Sequence, residues 1–113
     1  MKRTIEIGIG DFMDRDSILT KKDNEGLDVK RELEQYQDDK PNDVYYEMFF
    51  NILYSINSQL WILEDMKRKG VERYSRDESD VAFMITSLND LRHEVKKRTD
   101  QFYDSEIQEK KSH

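Results

Sequence analysis

Cysteine is absent from the 113-residue chain, which removes disulfides and thiolate metal sites and fits a reducing compartment. Histidine is almost absent: His93 stands alone in the second half and His113 is the last residue. Asp90 and His93 have the i,i+3 spacing of di-iron bundles, but such a site needs two Glu-x-x-His motifs and two further glutamates. Glycine occurs four times and never as a phosphate-cradling loop. The stretch "GIGDF" lacks both the full dinucleotide fingerprint and a βαβ context. No nucleophile elbow and no catalytic Cys/His arrangement is present. Basic residues are outnumbered, leaving a net charge of −6. That balance disfavours sequence-independent nucleic-acid binding and anionic membrane surfaces. No apolar run approaches the ~20 residues of a membrane span. The start "MKRTIEIGIGDF" has too few apolar residues for a secretory signal. These absences lead to the expectation of a cytoplasmic protein with no cofactor, no metal, no nucleic-acid partner and no membrane contact.

What the chain does have is charge, at 39%, and a modest apolar share of 35%. Leu, Ile, Val and Phe together exceed the roughly one-fifth that marks disordered chains, and the aromatics are concentrated. This suits one domain with a thin core and a very polar exterior. Ile5, Ile7 and Ile9 alternate, which reads as an extended lead-in over residues 1–10. Asp11 is then a candidate cap for a first helix reaching Lys22. After the "DNEG" turn, Val29, Leu33 and Tyr36 support a second helix from Leu27 to Asp38. Pro41 disfavours helix at Lys40, and Asn42 or Asp43 is placed to cap the next element.

The third helix, Val44 to Lys69, is the most strongly patterned. Tyr45, Met48, Phe49, Ile52, Ile56, Leu60 and Leu63 recur at steps of three and four. Phe50, Leu53, Tyr54 and Trp61 widen the stripe until it needs more than one neighbour. Gly70 ends it, behind a cationic last turn. Ser75 and Glu78 have capping-box spacing for a fourth helix. Val81, Met84, Ile85, Leu88, Leu91, Val95 and Phe102 hold one face to about Tyr103, and residues 104–113 form a polar tail. The expected fold is all-α: a long antiparallel αα-hairpin (44–103) with two short N-terminal helices (11–38) packed on its open side, one helical domain over 1–113. The hairpin leaves one flank of its wide stripe for the N-terminal region, a second copy or a partner to cover.

The stretch "NSQLWILEDMKR" carries the only tryptophan, Trp61, beside Glu64, Asp65 and Arg68. Folding the hairpin near residue 73 sets Trp61 opposite Ile85 and Asn57 opposite Asn89. In that register Trp61 is a core residue. An Asn57–Asn89 pair would fix hairpin register; the alternative is a polar notch, with Arg92, that holds a ligand group. Glu64, Asp65, Asp77, Glu78 and Asp80 gather near the hairpin tip, where magnesium would favour a carboxylate cluster. Lys67, Arg68, Lys69, Arg73 and Arg76 share that end, so a mixed-charge solvated tip with a Glu64–Arg68 pair is expected instead.

Four ordered stretches carry a family resemblance: "IGIGDFMDRDSILTKK", "LWILEDMKR", "LNDLR" and "IQEKKSH". Together they resemble a small family of uncharacterised bacterial helical proteins. That family is marked by runs like S-x-G-E-L-x-D-K-x-x-I-L-x-x-K, L-W-x-x-E-D-x-x-R, N-D-x-R and E-E-K-S-Y. Asp11 stands where the family has Glu, Arg15 where it has Lys, and His113 where it has an aromatic. The resemblance implies no known reaction. It implies encoding among glycosyltransferase and surface-polysaccharide genes. It also implies a polar surface on Asp14, Arg15, Trp61, Glu64, Asp65, Asn89 and Arg92.

Two functions are then expected. The first is a non-catalytic interaction or accessory module with a protein partner or a second copy of itself, linked through the resemblance to carbohydrate or cell-envelope polysaccharide synthesis. On that reading Arg92→Ala harms binding at little cost in fold. The alternative is a small all-α enzyme or sensor for a phosphorylated or nucleotide-sugar ligand. There Arg15, Lys22 and Arg92 would hold phosphate, and Asp14, Glu64 or Asp65 would serve as divalent-metal ligands or a base.

Overall fold

A computed structural model describes the backbone of residues 7–70 and 76–111, and the side chains of 7–70 and 78–104. The described residues form four helices and no strand: α1 (Ile9–Asn24), α2 (Lys30–Asp39), α3 (Val44–Arg68) and α4 (Arg76–Lys111). The all-α architecture expected from the sequence is the one observed.

The helix ends follow local chemistry. Gly26, at φ +85°, reverses the chain after α1. Its N–H donates to Asp23 O at 3.0 Å and the Leu27 N–H donates to Lys22 O at 3.0 Å, the paired closure of a Schellman turn. Gly70, at φ +77°, does the same service after α3. Lys40 is extended at ψ 145°, as a residue before proline prefers, and α2 stops one residue earlier. The Asp43 carboxylate accepts from the Tyr46 N–H at 2.7 Å and caps α3.

Three boundaries differ from expectation by more than two residues. α1 begins at Ile9, so Ile9 and Gly10 are helical and Asp11 lies in the first turn, with Gly8 at the cap. Ile7 and Ile9 pack against the core, and Ile5 lies outside the described residues. α2 starts at Lys30 rather than Leu27, because the Schellman turn occupies Gly26 and Leu27. α4 continues to Lys111, beyond Tyr103. Ser75, expected to cap it, is outside the described residues.

α3 and α4 form the antiparallel hairpin. The Phe102 ring lies 5.2 Å from Tyr45 and 5.3 Å from Phe49, joining the start of α3 to the latter half of α4. α1 lies on both hairpin helices, and α2 lies against α1. The core centres on α1. Phe12 and Met13 are wholly buried, with Tyr36 from α2 and Tyr46 and Leu53 from α3 around them. The Phe12 ring is 4.8 Å from Tyr36. Gly10 permits the closest approach to α4: a β-carbon there would sit 2.5 Å from Lys96 O. Its N–H instead donates to Asp100 Oδ1 at 2.7 Å. Among the described residues no helix is long and apolar enough to cross a membrane.

Candidate functional site

α1 presents polar side chains to the hairpin among its apolar ones. Phe12, Met13, Asp14, Asp16 and Ser17 are all buried. Asp14 is the junction. Its Oδ1 accepts from Asn57 Nδ2 on α3 at 2.9 Å. Its Oδ2 accepts from Arg92 Nε on α4 at 3.2 Å and lies 3.2 Å from Nη2 and 3.7 Å from Lys96 Nζ. One carboxylate, 3% exposed, therefore ties three helices together. Ser17 Oγ donates to Asp14 O at 2.7 Å and accepts from Asn57 Nδ2 at 2.7 Å. Lys96 also pairs with Asp11 at 2.8 Å, and this bond holds the Asp11 carboxyl below its ordinary value.

A second buried carboxylate lies two residues further along α1, on a different face. Asp16 accepts from Gln37 Nε2 and from the Tyr46 hydroxyl, each at 2.8 Å. Burial raises the Asp16 pKa, against the pull of those two bonds. Burial first, and the neighbouring Asp16 charge second, push the Tyr46 phenol far above its ordinary value.

Beside the Asp14 junction a cleft of about 340 Å³ opens between α1, α3 and α4. Ile18, Leu60 and Trp61 supply its apolar wall. Asn57, Asn89 and Arg92 line its polar side, and Lys21, Glu64 and Arg68 complete the lining. The amide orientations are fixed by chemistry, since a carboxylate only accepts and a guanidinium only donates. Asn57 must turn its NH₂ to Asp14, which leaves its Oδ1 without a partner among the described residues. Asn89 Oδ1 accepts from Arg92 Nη1 at 3.2 Å, which leaves its NH₂ without one.

Of the expected surface, Trp61, Glu64, Asn89 and Arg92 line this cleft, and Asp14 stands behind Arg92. Arg15 is exposed and Asp65 points elsewhere, to Lys69 at 3.0 Å, a bond that lowers the Asp65 pKa. Trp61 is half-buried on the cleft wall rather than a core residue. The core position is taken by Leu60 and Leu63 on either side of it, both buried. Asn57 and Asn89 do not pair with each other; each is engaged by a charged group, Asp14 or Arg92. Arg68 pairs with Asp65 at 3.6 Å rather than with Glu64. Lys21, not Lys22, reaches the cleft, and it pairs with Glu25 at 2.9 Å. Both oxygens of Asp14 are engaged by donors, Asn57 at Oδ1 and Arg92 at Oδ2. Among the described residues no group of His, Asp and Glu is placed to hold a metal ion. Of the tip residues, Arg73 and the side chains of Arg76 and Asp77 lie outside the described residues. Asp16, Ser17 and Lys21 were not singled out by the sequence; only the one-turn step from Asp14 to Ser17 hinted at a shared polar face.

The opposite side of the hairpin carries a different surface. Tyr45, Met48, Ile52, Ile62 and Met66 on α3 are between 42% and 60% exposed. With Ser55 and Gln59 they repeat at steps of three and four, a stripe without one charged residue. Met84 and Leu91 of α4, 43% and 49% exposed, lie on the adjoining flank. Arg98 and Glu94, on the same side of α4, pair with each other at 2.9 Å.

No protein family, curated protein or solved structure matches this chain.

Proposed function

We propose that the chain is a non-catalytic docking module that works as a pair, two copies meeting through the uncharged stripe of α3 and the adjoining flank of α4. The observation that carries this is the stripe itself: Tyr45, Met48, Ile52, Ile62 and Met66 stay exposed after α1 and α2 have packed. α3 carries no charged residue on any face from Met48 to Leu63, so what sets this face apart is that its apolar side chains are exposed rather than packed. A standard interface buries about 800 Å² per partner, and the exposed apolar side chains of this face are the ones such a contact would cover.

Charge permits a second copy as the occupant. Each chain carries −6, so two copies repel unless they meet where local charge is nil. This face is such a place, with Arg98 and Glu94 already neutralising each other. Its straight three-four repeat is what another αα-hairpin presents, and a two-fold pairing gives a four-helix assembly with closed symmetry. The link to surface-polysaccharide genes rests on the resemblance alone.

Sedimentation of the full chain from roughly 1 to 100 μM tests the pairing. Wild type is expected at twice the chain mass, and the double variant Met48→Lys, Ile62→Lys at the monomer mass with unchanged helical circular dichroism. Both side chains are exposed, so the variant keeps its core. Monomeric wild type across the range overturns the pairing, as does equal association by the variant.

A further inference from the structure

The cleft on the α1 side is separate from the pairing face and is built for something small. Its volume, about 340 Å³, is at the lower end for organic ligands. A ring the size of a nucleobase has one flat apolar surface to meet, the Trp61 indole, with Ile18 and Leu60 beside it. The polar side offers an acceptor, Asn57 Oδ1, and a donor, the Asn89 NH₂, neither engaged among the described residues.

The charges around it are arranged unevenly. Arg92 and Lys96 balance Asp14 and Asp11 in the junction behind the cleft. That leaves Lys21 and Arg68 against a single carboxylate, Glu64, along the rest of the lining. The partners of the two cations, Glu25 and Asp65, do not line the cleft and are 43% and 41% exposed. Exposed pairs of this kind contribute little and exchange readily for a better anion. Arg92 uses Nε, Nη2 and one Nη1 hydrogen, which leaves guanidinium N–H groups for an incoming oxygen. Cations arriving from two helices, with spare guanidinium donors between them, suit a tetrahedral anion with three acceptor oxygens better than a planar carboxylate with two.

We propose that this cleft binds a small ring-bearing phosphate monoester, its ring against Trp61 and its phosphate between Lys21, Arg68 and Arg92. Glu64, which has no partner among the described residues, accepts from a hydroxyl or amine of the ligand. The inference does not rest on pairing of the chain, since the stripe and the cleft lie on different sides of α3.

Trp61 is the only tryptophan, so intrinsic fluorescence reports on the cleft directly. The full chain is titrated with the four common nucleoside monophosphates, with ribose 5-phosphate, with the matching nucleosides and with inorganic phosphate. At least one ring-bearing phosphate is expected to give a saturable change below roughly millimolar concentration, with its dephosphorylated form about ten-fold weaker or worse. Lys21→Gln with Arg68→Gln is expected to weaken the phosphate ester by a similar factor, leave the dephosphorylated form unchanged and keep the midpoint of thermal unfolding. Absence of saturable change with every phosphate ester overturns the proposal. So does equal binding of ester and nucleoside, or equal binding by the double variant.

Discussion

Asp16 is a buried carboxylate with two neutral donors and no cation at ion-pair distance among the described residues. Its raised pKa makes the folded chain hold the proton more tightly than the unfolded chain does. The unfavourable contribution is therefore full above the raised value and is relieved as pH falls through it toward the ordinary carboxylate value. Asp16→Asn removes the titration, so wild type should gain stability relative to that variant as pH falls from neutral toward the ordinary carboxylate value. Asp11 and Asp65, whose pKa values are lowered, work in the opposite direction and lose stability on acidification. They are common to both proteins, so the difference in urea midpoint isolates residue 16. Wild-type stability that falls relative to the variant on acidification would contradict the raised pKa. The sequence could not reveal this group. Its partners, Gln37 and Tyr46, are 21 and 30 residues away, and no short-range spacing announces them.

At the scale of helices, the Asp14–Arg92 contact joins α1 to α4 asymmetrically. The Asp14 side chain is 5% exposed and the Arg92 side chain 25% exposed. Removing Arg92 strands a buried carboxylate with Asn57 and the more distant Lys96. Removing Asp14 strands a guanidinium that can turn toward the open cleft and water. Arg92→Ala should thus cost more, about 3 kcal/mol against about 1–2 kcal/mol for Asp14→Ala, read from urea unfolding near neutral pH. The reverse order would mean that Lys96 takes over the carboxylate. The expectation that Arg92→Ala spares the fold is corrected on the same ground: its guanidinium belongs to the inter-helix junction. The hairpin itself was legible, since the spacing of α3 and α4 set both faces and brought Asn57, Trp61, Asn89 and Arg92 to one region. The central place of α1 was not. Its buried face includes Asp14, Asp16 and Ser17, residue types that read as surface until their partners on other helices are known.

For the whole molecule, the thin core and the uncovered stripe are connected. α1 covers one side of the hairpin, with α2 packed on α1, and the apolar side chains on the other side are left to an external contact. If two copies supply it to each other, part of the stability belongs to the pair and must depend on concentration. A hundredfold dilution changes the free energy of pairing by about 2.7 kcal/mol. Spread over the unfolding entropy of two chains this size, that lowers the melting temperature by roughly 5 °C. The Met48→Lys, Ile62→Lys variant should melt at one temperature at every concentration, and below wild type only where wild type is paired. A wild-type midpoint that does not move on dilution would place the full stability within one chain. The stripe would then face a partner of different composition, and α3 would be its docking edge rather than half of a symmetric seam.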